Sequence, residues 1–147
     1  MATRPTSVVD DVVLVEYFHF ALQTFPSPTV VLDLGIPEDV VRGGLGGATF
    51  RSAATDHYAT VRLELWPAPP PSAGSWHAQQ STSFTADTVA LRLMSPTAGV
   101  GDLPLLLPAP GGYAICAHVD RTGPIPPPRD TTFPRGLERW LVRIWPL

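Results

Sequence analysis

Leu137-Glu138-Arg139-Trp140-Leu141-Val142-Arg143-Ile144-Trp145-Pro146-Leu147 is the stretch on which the reading of this chain turns. It reads as a β-strand whose residues split by parity into two faces. It has a near-echo in Val61-Arg62-Leu63-Glu64-Leu65-Trp66-Pro67, where Val-Arg again leads through aliphatics to a Trp-Pro stop. In the echo, Val61, Leu63 and Leu65 face a core and Arg62, Glu64 and Trp66 face outward. In the terminal stretch, Trp140, Val142 and Ile144 take the core face, leaving Arg139, Leu141, Arg143 and Trp145 outside.

Working outward, the chain offers more segments of the same kind. Val8 to Thr24 is apolar on both parities, with four valines in its first half, and reads as one strand buried on both sides until Pro26 and Pro28 stop it. Thr29–Leu34 reads as a second short strand closed by Gly35. Ile36-Pro37-Glu38-Asp39-Val40-Val41-Arg42-Gly43 carries Pro and two acids at its start and Arg then Gly at its end, which predicts one short helical turn. Ala48–Ala53 and Tyr58–Trp66 read as two strands of a hairpin joined through Thr55-Asp56-His57. Trp76–Phe84 is a polar strand, and Thr88–Met94 another with Val89, Leu91 and Leu93 inward. Asp102–Pro108 is an extended edge segment, and Tyr113–Val119 alternates with Tyr113, Ile115, Ala117 and Val119 on its core face. Two proline-rich loops, Pro67–Ser75 and Pro124–Pro128, cannot join a ladder. About eight short strands with Gly/Pro turns predict an all-β, two-sheet antiparallel β-sandwich forming one domain over 1–147, with a closed barrel as the rival.

Composition narrows the function classes. Of 147 residues, 44% are hydrophobic and 16% charged, enough apolar surface for one core. Net charge is −3, and the basic residues are 10 Arg with no Lys. Residues 1–66 hold eight acids against four Arg, and 67–147 hold five against six. A mildly acidic first half without a basic stripe argues against nucleic acid as a partner and suits a basic protein surface. The single cysteine, Cys116, has no intrachain disulfide partner. No apolar leader or spanning run is present, so a cytoplasmic protein with no membrane association is expected.

The chemistry-bearing residues do not assemble into a known motif. Gly43-Gly44-Leu45-Gly46-Gly47 lacks the Lys-Ser/Thr of a phosphate loop. His19, His57, His77 and His118 contain no His-x-His or i, i+4 pair, so no metal or other cofactor is expected. No Gly-x-Ser-x-Gly elbow occurs. Cys116 and His118 share a strand face and are formally a nucleophile and a base, but an inert buried thiol is the plainer reading. No catalytic residue is assigned and the chain reads as a non-enzyme. Arg and Trp dominate interface energetics, which makes the outward Arg/Trp face a candidate recognition surface. The candidate contact residues are Tyr17, Glu38, Asp39, Trp66, Arg143 and Trp145, and the competing reading is that each Trp caps an open end of the sandwich.

Gly112-Tyr113 opening a strand after Leu103-Pro104-Leu105, together with Glu138 to Pro146, resembles a family of small, mostly uncharacterised actinobacterial β-sandwich proteins. Tyr17-Phe18-His19-Phe20 on an early aromatic strand, and Gly47-Ala48-Thr49-Phe50-Arg51 before an alternating one, make the chain similar to the competence protein J family of nuclease inhibitors. The resemblance implies an intracellular inhibitor or immunity-type protein whose partner is a nuclease or toxin, and supplies no catalytic residues. Two other readings remain open: an assembly subunit joining copies of itself through an edge strand, the terminal one being the candidate, and a small-molecule or metal-binding sandwich.

Overall fold

Residues 3–121 and 133–147 are described by the structure, a computed structural model. Eleven strands follow one another: β1 Ser7–Val15, β2 His19–Phe25, β3 Val41–Gly44, β4 Gly47–Arg51, β5 His57–Leu65, β6 Ala78–Ala86, β7 Ala90–Ser95, β8 Gly99–Val100, β9 Leu105–Leu106, β10 Gly111–Arg121 and β11 Arg135–Pro146. They form two sheets. One has five strands in the order β1-β5-β11-β10-β6; the other runs β3-β4-β2-β7-β8, with β9 also on β7. Pairing is antiparallel throughout except between β5 and β11, which run parallel. The two-sheet, all-β expectation stands, with more and shorter strands than the sequence suggested. The second proline loop lies outside the described residues.

The terminal stretch is the middle of the molecule. β11 is flanked by β5 and β10, with Trp140 opposite Val61 and Val119, and Ile144 opposite Leu65 and Ile115. This corrects its reading as a bare edge strand available to a second copy: both its ladders are already filled. Its predicted core face is right. Trp140, Val142 and Ile144 are buried, as are Val61, Leu63 and Leu65 on β5 and Tyr113, Ile115, Ala117 and Val119 on β10. Trp140 crosses the gap between the sheets, edge-on to Phe20 of β2 at 5.2 Å and Phe50 of β4 at 5.7 Å, which stack on each other at 4.8 Å. These three rings are the largest fully buried side chains, packed in mutual contact.

Four local expectations are overturned. Val8–Thr24 is two strands, because the chain reverses at Tyr17-Phe18 and β2 joins the opposite sheet from β1. Thr29–Leu34 is no strand; Val31–Leu34 makes a 3-10 turn across the outside of the six-stranded sheet, where Gln23 Oε1 accepts from the Val31 amide at 2.8 Å. Ile36–Gly43 makes no helix, since its second half belongs to β3. β4 and β5 are not a hairpin, for the loop between them carries the chain from one sheet to the other. In addition, Val89 is exposed rather than inward.

The sandwich is closed along one side by β3 and β6. The amide of Gly46 donates to the Thr85 carbonyl at 2.7 Å, and those of Val40 and Val41 share Gln80 Oε1 at 2.9 and 2.8 Å. A Cβ on Gly43 would stand 1.8 Å from the Ser83 carbonyl oxygen, so only glycine lets β3 pass this close.

Candidate functional site

Three groups of polar or aromatic residues stand out, and the six candidate contact residues are split between two of them.

At one end of the sandwich, Tyr17 and Phe18 form a two-residue turn closed by the Glu16–His19 pair, with φ of 52° and 62°. Both central residues are left-handed, the turn type that normally selects Asn-Gly. Bulky side chains there crowd the following carbonyl at a cost of roughly 1–2 kcal/mol each. Yet the rings gain little burial in return: Tyr17 is 65% and Phe18 46% exposed. The loop from β4 to β5 buttresses the turn. Ser52 N donates to the Phe18 carbonyl and Asp56 N to the Val15 carbonyl, both at 2.9 Å, and Asp56 is itself left-handed at φ 57°. His19 Nδ1 lies 2.9 Å from the Tyr17 carbonyl. Glu38 and Asp39 are exposed on the segment alongside, where Arg51 donates to the Pro37 carbonyl at 2.9 Å. Tyr17, Glu38 and Asp39 therefore share one end. Phe18 belongs with them, and was not singled out because an aromatic in an apolar run reads as core.

Just inside that end lies a buried polar network. Glu138 Oε1 accepts from Ser52 Oγ at 2.7 Å and Trp140 Nε1 at 3.1 Å, while Oε2 accepts from the Ala53 amide at 2.9 Å and Arg121 Nε at 3.1 Å. His57 Nε2 is 2.9 Å from Ser52 Oγ. A Ser-His-Glu set invites comparison with a catalytic triad, but the wiring differs. The carboxylate accepts from the serine hydroxyl directly, and among the described residues no carboxylate bonds His57 Nδ1, which a triad carboxylate would hold. Ser52 is 2% and His57 0% exposed, so substrate has no approach. Burial pushes the His57 pKa below its ordinary value, with Glu138 pulling the other way. The network fastens the β4–β5 loop to the central strand.

The outer face of the five-stranded sheet carries the other three expected residues. Glu64 Oε1 accepts from Trp66 Nε1 at 2.9 Å and Arg143 Nε at 3.2 Å, and Oε2 from Arg62 Nε at 2.9 Å. Burial alone would raise the Glu64 pKa; the donors Arg62, Trp66 and Arg143 outweigh it and hold the carboxyl below its usual range. Arg143 lies over the Trp66 ring at 4.7 Å and donates to the Pro71 carbonyl at 2.6 Å. The proline segment thus covers this face, leaving Trp66 4% and Arg143 8% exposed. Both point outward as expected, and the chain's own loop lies against them. Trp145 is half-buried on the same face. Trp66 and Trp140 each donate to a glutamate two residues earlier: Glu64 holds Trp66 outside the sheet, and Glu138 holds Trp140 inside.

Further along the face, two adjoining hollows of about 390 and 550 Å³ share Thr60 and Arg139. Arg62 there pairs with Asp10 at 3.2 Å and Arg139 with Asp120 at 2.8 Å. Among the described residues, no three His, Cys, Asp or Glu side chains stand together as a metal-holding group. No helix among the described residues is long and apolar enough to cross a membrane.

No family model matches the chain, and no curated protein matches it in sequence. Solved structures do match in fold. The chain is similar to ComJ, inhibitor of the DNA-degrading activity of NucA, from Bacillus subtilis, with a TM-score of 0.64 and 13% identity over 100% of this chain and 99% of that one. It is also similar to crocagin biosynthetic gene J, with a TM-score of 0.58 and 11% identity over 95% and 97%. Both likenesses span nearly whole chains, and at these identities they are likenesses of fold.

Proposed function

We propose that this is a non-enzymatic protein-binding domain of the inhibitor or immunity type, acting on an intracellular protein partner such as a nuclease. The observation that carries the proposal is the aromatic turn. Two bulky residues held left-handed and exposed cost folding energy, and such strain collects where a structure meets something else. Tyrosine and phenylalanine on a braced turn offer large contact area with little entropy to lose on binding. Exposed Glu38 and Asp39 beside them suit a partner with a basic surface, as a nuclease that binds DNA must have. The full-length likeness in fold to ComJ supports the same reading. The contacts are then Tyr17, Phe18, Glu38 and Asp39, with Trp66 and Arg143 in a supporting role beneath the proline segment.

Affinity purification from the native host tests the proposal. A protein recovered in stoichiometric amount, whose activity falls as this chain is added back, is the expected result; recovery of this chain alone contradicts it.

A further inference from the structure

Under the proline segment lies a thiol that neither the aromatic turn nor the Glu64 network uses. Cys116 and His118 stand two residues apart on β10, so both side chains leave the same face. Cys116 Sγ is 3.6 Å from His118 Nε2. On the far side of the ring, Nδ1 is 3.3 Å from the Leu141 carbonyl oxygen. A carbonyl only accepts, so in the neutral ring Nδ1 carries the hydrogen and Nε2 presents its lone pair to the thiol. His118 is 4% exposed, while Cys116 is only partly buried. Burial lowers the His118 pKa; the Leu141 carbonyl opposes it, Arg143 from β11 adds to it, and Glu64 from β5 opposes it. The proton-accepting form of the ring therefore persists to lower pH than in free imidazole.

A cavity of about 180 Å³ opens over the pair, with Pro69–Pro71, Gln79, Arg143 and Trp145 in its wall. That leaves room for a short thiol arm. Two donors alone make a poor metal site, and a sealed core thiol would have no cavity over it.

We propose that Cys116 is a thiol–disulfide exchange site for a low-molecular-weight disulfide, with His118 as its base. His118 Nε2 takes the thiol proton as Sγ attacks one sulfur of the disulfide. A new S–S bond forms to Cys116, the old S–S bond breaks, and the departing thiolate collects the proton from His118. Cys–SH and R–S–S–R become Cys–S–S–R and R–SH, so the protein sulfur is oxidised and the departing sulfur reduced. The arm left behind sits against Pro69–Pro71, beside the Arg143–Pro71 hydrogen bond that ties the segment down. This site is independent of the protein-binding reading.

The test treats the intact protein with cystamine and follows adduct formation by mass spectrometry, the single cysteine making assignment unambiguous. At pH 7 the native chain is expected to take one cysteamine arm at least tenfold faster than the same chain in urea. H118Q is expected to lose most of that gain at pH 7, and to match wild type above pH 9, where hydroxide supplies the thiolate unaided. A native thiol that reacts no faster than the unfolded one overturns the proposal, and so does a folded H118Q that reacts as fast as wild type. Should H118Q not fold, the wild-type ratio of native to unfolded rate decides alone.

Discussion

Tyr17 and Phe18 hold the conformation that their side chains favour least. Replacing them with the residues the turn selects, Y17N/F18G, removes left-handed crowding and sacrifices rings that are mostly in solvent. We expect a net gain of about 1–2 kcal/mol, or ~3–6 °C in Tm by calorimetry. Around Glu64, exposure decides which arginine matters. Arg62 and Arg143 bond the same carboxylate, but their side chains are 46% and 10% exposed. R62A should cost under about 1 kcal/mol, since water replaces it. R143A leaves Glu64 beneath the proline segment short of a donor and should cost about 3 kcal/mol in urea unfolding. Histidine sets the pH dependence above the carboxylate range. His57 and His118 both have folded pKa values below their ordinary 6.5. The unfolded chain therefore binds protons first, so stability is full above about pH 6.5 and falls as pH drops toward the folded values. H57Q should flatten that decline between pH 6.5 and 5, measured by urea titration at each pH.

At the scale of elements, glycine decides how closely strands approach. G43A would drive a methyl into the Ser83 carbonyl and push β3 off β6; a loss of about 3 kcal/mol, at the top of the overpacking range, should appear in thermal melts. The same contact shows why this region was hard to read. Pro37, Glu38 and Asp39 followed by Arg42 and Gly43 carry every local mark of a helix end, yet Gly43 is there to let a strand pass another backbone, a requirement visible only in three dimensions. The break at Tyr17-Phe18 was hidden for the opposite reason: it uses strand formers where a turn usually shows Asn or Gly. β5, β10 and β11 were legible because one face is buried along their length, so parity alone sorts core from surface. Parity could not say that Trp66 and Arg143, though outward, lie under Pro69–Pro71, because a loop folding back leaves no trace in the strand it covers. Ser52, His57 and Glu138 likewise come from three separate segments, joined only when β4 and β5 part into different sheets.

The whole molecule is built around a strand that comes last. β11 fills both its ladders and supplies Trp140 to the ring cluster, so a chain ending at residue 134 lacks the centre of one sheet. Circular dichroism of that truncated chain should show no cooperative melt, whereas loss of an edge strand would leave one. With β11 committed inward and Trp66 and Arg143 buried beside the proline segment, the end bearing Tyr17, Phe18, Glu38 and Asp39 is the recognition surface in the proposed function. Its most direct test compares partner recovery from the native host by wild type and by Y17N/F18G. The account predicts a stoichiometric protein partner with wild type and none with the variant, although the variant is the more stable fold. Equal recovery by the two would contradict it.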